Sequence, residues 1–201
     1  MKKTQIYFFL EELNSINISI LKKLKNVSII YRNYSKNNYI ARAFELKKFS
    51  KRFGHDLYVS NDLRLARSIE ANLYIPNFNK RLRYTITPSN KKIKVIGSAH
   101  NHVEIHRKFF QGCSGIFLSP IFKTTSHPRS EPLGISRFNF LKKHFGTKLE
   151  LYALGGINEN NLKKIYNSNI FAFGLKSFLD KVQCQKTLSF LNLIARSNVI
   201  S

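Results

Sequence analysis

Short apolar runs alternate with amphipathic stretches along almost the whole chain. Residues 6–10 form a continuous apolar run of strand length, and residues 16–24 then place Ile and Leu at helical intervals. The next β-branched run covers 27–31. It is followed by 41–53, where Ala43, Phe44, Leu46 and Phe49 share one helical face. A third run, 57–59, precedes a helix opened by Asn61 or Asp62 as N-cap, with Leu63, Ala66 and Ile69 inward; 73–75 is the fourth run. Residues 77–90 are basic, carry Pro88, and read as a short or irregular connection. Residues 94–97 make the fifth run, and Asn101-x-x-Glu104 resembles a capping box that opens a helix through residue 110. The sixth run is 115–118. Ser136 is placed to cap a helix carrying Phe138, Leu141 and Phe145, 149–154 is the seventh run, and Asn158 is placed to cap a helix with Leu162 and Ile165. Residues 170–175 are the eighth run, and 178–195 close the chain as a helix.

Eight strand-like runs therefore alternate with helices. Apolar strands without clean two-residue alternation imply a parallel sheet covered by helices on its outer face, and eight such units in 201 residues imply a compact α/β fold, a (β/α)8 TIM barrel, as a single domain over 1–201. An open doubly wound sheet is the other arrangement with this alternation. It normally carries Gly-x-Gly-x-x-Gly after the first strand, and no such segment follows here.

Composition changes this picture only in its electrostatics. A hydrophobic fraction of 43% with 13% aromatic residues is that of a globular chain. The 34 Lys and Arg against 11 Asp and Glu give a formal net charge of +23, which invites a nucleic-acid reading. The basic residues are spread over predicted helices (Lys22, Lys23, Lys47, Lys48, Lys163, Lys164) with no long run, which favours a generally basic solvated surface that also attracts phosphorylated metabolites. Cys113 and Cys184 lack metal-ligand spacing and are too few for a disulfide framework, so a reducing, cytoplasmic setting is expected. The apolar N-terminal run stops at Glu11-Glu12 without a small-residue cleavage site, and no stretch is long enough to span a membrane.

In a barrel of this kind, chemistry stands at the carboxyl ends of the strands. Those positions are mainly polar or cationic: Glu11-Glu12, Arg32-Asn33, Asn61-Asp62, Asn77 and Asn79, Ser98 and His100, then Gly155-Gly156 and Lys176-Ser177. After the sixth strand the chain presents Ser119-Pro120 and then Lys123, Thr124, Thr125, Ser126 and His127, a set of donors with no carboxylate among them. That is a phosphate-binding composition. Gly155-Gly156-Ile157-Asn158 places two glycines before an expected helix N-terminus, where N–H groups and the helix dipole can hold a phosphate. A tight strand-to-helix turn needing glycine for its backbone alone is the plainer reading. His100 reads as a structural hydrogen-bonding group or a base, and His102 and His106 as surface groups without a third metal ligand.

Several of these segments together resemble the thiamine-phosphate synthase/TenI family. Residues 119–127 resemble the family's pyrophosphate-holding loop after the sixth strand, and Ile96-Gly-Ser-Ala-His100 looks like its Gly-x-Ser-x-His segment. Ser60-Asn-Asp62 resembles its Asn-Asp pair, Ala153-Leu-Gly-Gly-Ile157 and Gly174-Leu-Lys-Ser177 its two thiazole-phosphate turns, and Arg32 stands where the family has the arginine of Gln-x-Arg-x-Lys. The resemblance implies Ser98 and Arg32 as catalytic residues and Asp62 as a ligand of magnesium. It further implies Asn61, Lys123, Thr124, Ser126, His127, Gly155, Gly156, Lys176 and Ser177 as substrate-binding residues.

The implied reaction joins a hydroxymethylpyrimidine pyrophosphate to a thiazole phosphate with release of pyrophosphate, so phosphorylated pyrimidine and thiazole molecules are the expected partners; no membrane partner is expected, and an oligomer is compatible with the sequence. The chain departs from the family pattern at Ile30, Tyr34, Asn79 and His127, which motivates an alternative: a paralogue that binds a phosphorylated thiazole or thiamine phosphate without this catalysis. Pro120 stands where the TenI branch has a histidine, which argues against thiazole tautomerisation. A basic nucleic-acid-binding protein is the third reading.

Overall fold

The elements follow one another as β1 (Gln5–Leu10), α1 (Ser15–Lys23), β2 (Ser28–Tyr31), α2 (Tyr39–Phe53), β3 (Asp56–Ser60), α3 (Leu63–Ser68), β4 (Asn72–Ile75), β5 (Val95–Ala99), α4 (His102–Phe110), β6 (Gly115–Leu118), α5 (Gly134–Phe145), β7 (Glu150–Leu154), α6 (Leu162–Asn167), β8 (Ala172–Leu175) and α7 (Gln185–Arg196). The computed structural model describes residues 4–33, 38–81, 93–124, 131–146, 149–168, 170, 172–176 and 185–196. Every strand pairs in parallel with the next, and β8 pairs with β1 from Gln5↔Ala172 to Phe8↔Leu175, so the sheet is a closed barrel. All carboxyl ends therefore open at one mouth. No helix among the described residues is long and apolar enough to cross a membrane.

The absence of polar alternation in the strands follows from burial on both faces. In β1, Ile6, Phe8 and Leu10 pack outward beneath the helices, while Tyr7 and Phe9 turn into the lumen. The lumen is aromatic: Tyr7 stacks on Tyr152 at 5.4 Å and meets Phe117 edge-on at 5.1 Å, and Phe9 meets Tyr74 edge-on at 5.4 Å. Glycine makes room for this filling. A Cβ on Gly115 would run into the Tyr152 ring, and one on Gly174 would lie 2.7 Å from Phe9. Burial pushes the Tyr7 phenol up to about 12, so its hydroxyl keeps its proton.

The structure shifts several expected boundaries. Asp62, rather than Asn61, caps α3: its Oδ1 accepts from the Leu65 N–H at 2.9 Å, while Asn61 takes a left-handed φ of 61° and gives its own N–H to Tyr74 O. Ser136 lies inside α5, not at its start. The Leu133 and Gly134 N–H groups at that end are taken by the carbonyls of Pro120 and Ile121 in the loop after β6, so no side-chain cap is needed. Asn158 does not cap α6 either; it opens a turn closed by its carbonyl, which accepts from Asn161 and Leu162. β5 runs on to Ala99, which puts Ser98 within the strand. Residues 82–92, most of the expected irregular connection, and 178–184 of the expected last helix lie outside the described residues.

Two consequences can be measured. Gly115→Ala forces the Tyr152 ring to move and is expected to cost about 1–3 kcal/mol in urea unfolding, as overpacking does. His55 is buried, with Nε2 3.1 Å from Leu21 O, and its burial lowers its pKa below 6.5. The unfolded chain then takes up the proton first, so stability is lost as pH falls below 6.5; a His55→Phe variant should show a flatter decline in Tm over that range.

Candidate active site

The mouth is built in sectors, each joining neighbouring strand ends. Where β8, β1 and β2 meet, the Arg32 backbone N–H extends the ladder by donating to Leu10 O at 2.8 Å. This fixes the residue at the rim. Its guanidinium Nη2 donates to Glu11 Oε1 at 3.2 Å, and its Cζ lies 5.8 Å from the centre of the Phe9 ring. Lys176 Nζ approaches the same Glu11 oxygen at 4.0 Å. Burial and then the nearby Arg32 charge lower the Lys176 pKa, with Glu11 opposing. Arg32 Nε is buried with no hydrogen-bond partner among the described residues. Two cations thus converge on one exposed carboxylate, and the pair retains a donor for something else.

Between β3, β4 and β5 the arrangement is one of amides and hydroxyls around a single carboxylate, Asp62. Asn79 Nδ2 donates to Asn61 Oδ1, linking the segment after β4 to the end of β3 beside Asp62. Deeper in, Tyr74 Oη donates to Ser98 Oγ at 2.8 Å, and Ser98 is almost wholly buried. Ser98 shares the lumen face of β5 with Ile96, two residues earlier. Ile30, by contrast, packs into the lumen with no polar atom to offer.

From β5 to β7 the sectors interlock. His100 Nδ1 lies 2.8 Å from Ser119 O; a carbonyl only accepts, so Nδ1 carries the proton. The His100 N–H donates to Glu104 Oε2 at 2.7 Å, and Asn101 Oδ1 accepts from the Glu104 N–H at 3.0 Å, which holds the strand end to the first turn of α4. Ile121 N donates to Leu154 O at 2.8 Å and Phe122 N to Gly155 O at 3.1 Å, so the loop after β6 continues as a ladder against the end of β7. Gly155 and Gly156 have φ of 91° and 71°, and a Cβ on Gly156 would lie 2.5 Å from the carbonyl oxygens of both Phe122 and Lys123. Lys123 is exposed beside this contact and Thr124 half-buried.

The structure therefore brings Arg32 to Lys176, Asn61 to Asp62, and the Lys123 backbone to Gly156, with Thr124 next in the same loop, all at one mouth and with Ser98 below the rim. Ser126, His127 and Ser177 lie outside the described residues. The glycine turn does not abut a helix: α6 begins at Leu162, and Asn158 and Asn161 stitch the intervening turn by donating to Gly156 O. The donors available there are those of a turn, not a helix end. Sequence reasoning missed Tyr74, whose signal was its place between the outward Leu73 and Ile75, two strand residues that sit beneath the helices.

Among the described residues no group of three or more His, Cys, Asp or Glu could hold a metal ion. The oxygens at β3 and β4 come from one carboxylate and two amides, and Asp62 gives one carboxylate oxygen to its helix cap. Both amide oxygens already accept, Asn61 Oδ1 from Asn79 Nδ2 and Asn79 Oδ1 from Arg81 N, so among the described residues of this sector it is the Asp62 carboxylate that would hold a magnesium ion, the other ligands coming as water and phosphate oxygens.

The model of the thiamine monophosphate synthase family matches residues 12–175. A thiamine-phosphate synthase of Prochlorococcus marinus subsp. pastoris is 27% identical over 169 residues, covering 81% of this chain and 47% of that protein. The chain spans about half the length of the first Prochlorococcus relatives it matches. A thiamine-phosphate synthase of Flavobacterium psychrophilum is 22% identical over 173 residues, covering 81% of this chain and 83% of that protein. Among solved structures, the thiamine phosphate pyrophosphorylase of Pyrococcus furiosus superposes with a TM-score of 0.74 at 12% identity, covering 99% of this chain and 98% of that one, which shows the fold.

Glu11 stands where an anionic ligand of Arg32 and Lys176 would sit. Glu11→Gln is expected to raise the affinity for inorganic pyrophosphate by about two- to fivefold at low salt, the size of an exposed ion pair. Titration calorimetry checks it, and the gain should shrink as salt is added.

Proposed function

This chain belongs to the thiamine monophosphate synthase family, and on that premise we propose that it joins a hydroxymethylpyrimidine pyrophosphate to a thiazole phosphate, forming thiamine phosphate and releasing pyrophosphate. The observation that carries the reading is the gathering of Arg32, Lys176, the Lys123–Thr124 loop and the Gly155–Gly156 turn at one mouth, above an aromatic floor.

The barrier in such a reaction is charge. Breaking the bond between the pyrimidine's exocyclic carbon and the ester oxygen leaves a carbon cation and a departing polyanion, and a thiazole nitrogen closes on the carbon. In this chain Arg32, Asn61, Lys123, Thr124, Ser126 and His127 would hold the pyrophosphate. Gly155, Gly156, Lys176 and Ser177 would hold the thiazole phosphate, so the two anions would lie side by side, with Arg32 next to Lys176 and the Lys123 backbone against Gly156. Magnesium, where bound by Asp62 and phosphate oxygens, would offset charge on the leaving group. Ser98, oriented by Tyr74, lies below the rim, and a pyrimidine ring would sit above it, over the packed rings of the floor.

A second reading, binding of a phosphorylated thiazole or thiamine phosphate without turnover, is favoured by Ile30 facing the lumen and by an amide at Asn79.

Purified protein with both substrates and magnesium is expected to form thiamine phosphate. Ser98→Ala should lower kcat by about tenfold or more, with Tyr74→Phe lowering it less and leaving KM nearly unchanged. No product together with retained affinity for thiazole phosphate selects the second reading, and loss of both sinks the two together.

A further inference from the structure

Lys108 lies in α4, outside the barrel wall, and none of it is exposed. Its ammonium donates to the carbonyls of Pro76 at 2.7 Å and Asn79 at 3.0 Å, both in the segment after β4. Gln111, at the end of α4, donates from Nε2 to the same Asn79 carbonyl at 3.1 Å and to that of Arg81. The lysine stem passes over β5 at Gly97, where a Cβ would lie 3.0 Å from Lys108 Cδ and 2.9 Å from Cys113 Sγ. A larger residue in β5 would close the passage.

A buried ammonium without a paired carboxylate is costly, and an apolar side chain would fill the same volume without that cost. Burial lowers its pKa to about 8, with Arg107 acting in the same direction and Cys113 and Glu104 against it. What it gains is backbone. The carbonyls of Pro76 and Asn79 belong to a segment with no strand partner, held within itself by Asn79 N to Pro76 O at 3.1 Å. Pro76 O thus takes a second donor, and Asn79 O its donors, from α4. An ammonium and a neutral amine can each donate twice, so the tether does not depend on the proton.

The other face of this segment is the mouth. Asn79 Oδ1 accepts from Arg81 N at 2.9 Å, which orients the amide so that Nδ2 points to Asn61. We propose that Lys108 is a positioning residue that fixes the segment after β4 through the Pro76 and Asn79 carbonyls and so sets the Asn79 amide against Asn61 at the rim. The functional part of this rests on the reading of the mouth given above, since it makes the rim beside Asp62 preformed before any ligand arrives.

The test compares the full-length protein with Lys108→Met, Gln111→Ala, Asn79→Ala and the Lys108→Met/Asn79→Ala pair. Hydrogen exchange should rise in residues 76–81 of Lys108→Met, to a smaller degree in Gln111→Ala, and stay unchanged in β1, β2, β7 and β8. Affinity for inorganic pyrophosphate with magnesium should fall by about tenfold in Lys108→Met, the size usual for a group that orients a ligand-binding residue. The double variant should bind no more weakly than Asn79→Ala alone, because both act through one side chain. Unchanged exchange in 76–81, or losses that add in the double variant, would overturn the proposal. If Lys108→Met fails to fold, Gln111→Ala paired with Asn79→Ala carries the same comparison. Wild-type protein that binds no pyrophosphate would sink the proposed reaction and not the tether, which then stands or falls on the exchange rates.

Discussion

Pairing of β8 with β1 is the constraint from which the site follows. Because every neighbouring pair is parallel, closing the ring gives the strands a common direction, and eight unrelated loops have to emerge together. Residues as far apart in sequence as Glu11 and Lys176 then meet across two adjacent strands. In an open sheet, β1 and β8 would not be neighbours.

Closure also creates an inside that must be filled. This chain fills it with rings, and the glycines at 115 and 174 leave room for those rings. The hydroxyls that come with tyrosine then need partners. Tyr152 finds Glu150 near the amino ends of the strands, and Tyr74 finds Ser98 toward the mouth. The same type of residue thus serves as packing at one end and as an oriented polar group at the other, depending on depth in the barrel.

The architecture was legible in the sequence because two-sided burial leaves a plain mark: runs such as 6–10 that are apolar throughout, spaced by helical faces. Asn101 as a cap was legible for a local reason, since its partner Glu104 is three residues away. The positions misread were those settled by distant backbone. Ser136 looked like a cap, yet the N–H groups near it are taken by Pro120 and Ile121, and no local pattern announces that. Lys108 carries no local sign of its role, since its acceptors are 29 and 32 residues away and depend on a glycine in a third element. Which strand ends carry polar groups could be read in order. How those groups pair, Glu11 with Arg32 or Asn61 with Asn79, is a property of the ring and required the coordinates.

At residues 122–123 and 155–156 the loop after β6 and the turn after β7 touch through main chain. Carbonyls of Phe122 and Lys123 occupy the place a side chain on residue 156 would need, and Phe122 N is bonded to Gly155 O. The partition between these two stretches is therefore one peptide plane thick. Whatever displaces one side of it displaces the other, so a substitution that reshapes one stretch is felt in its neighbour.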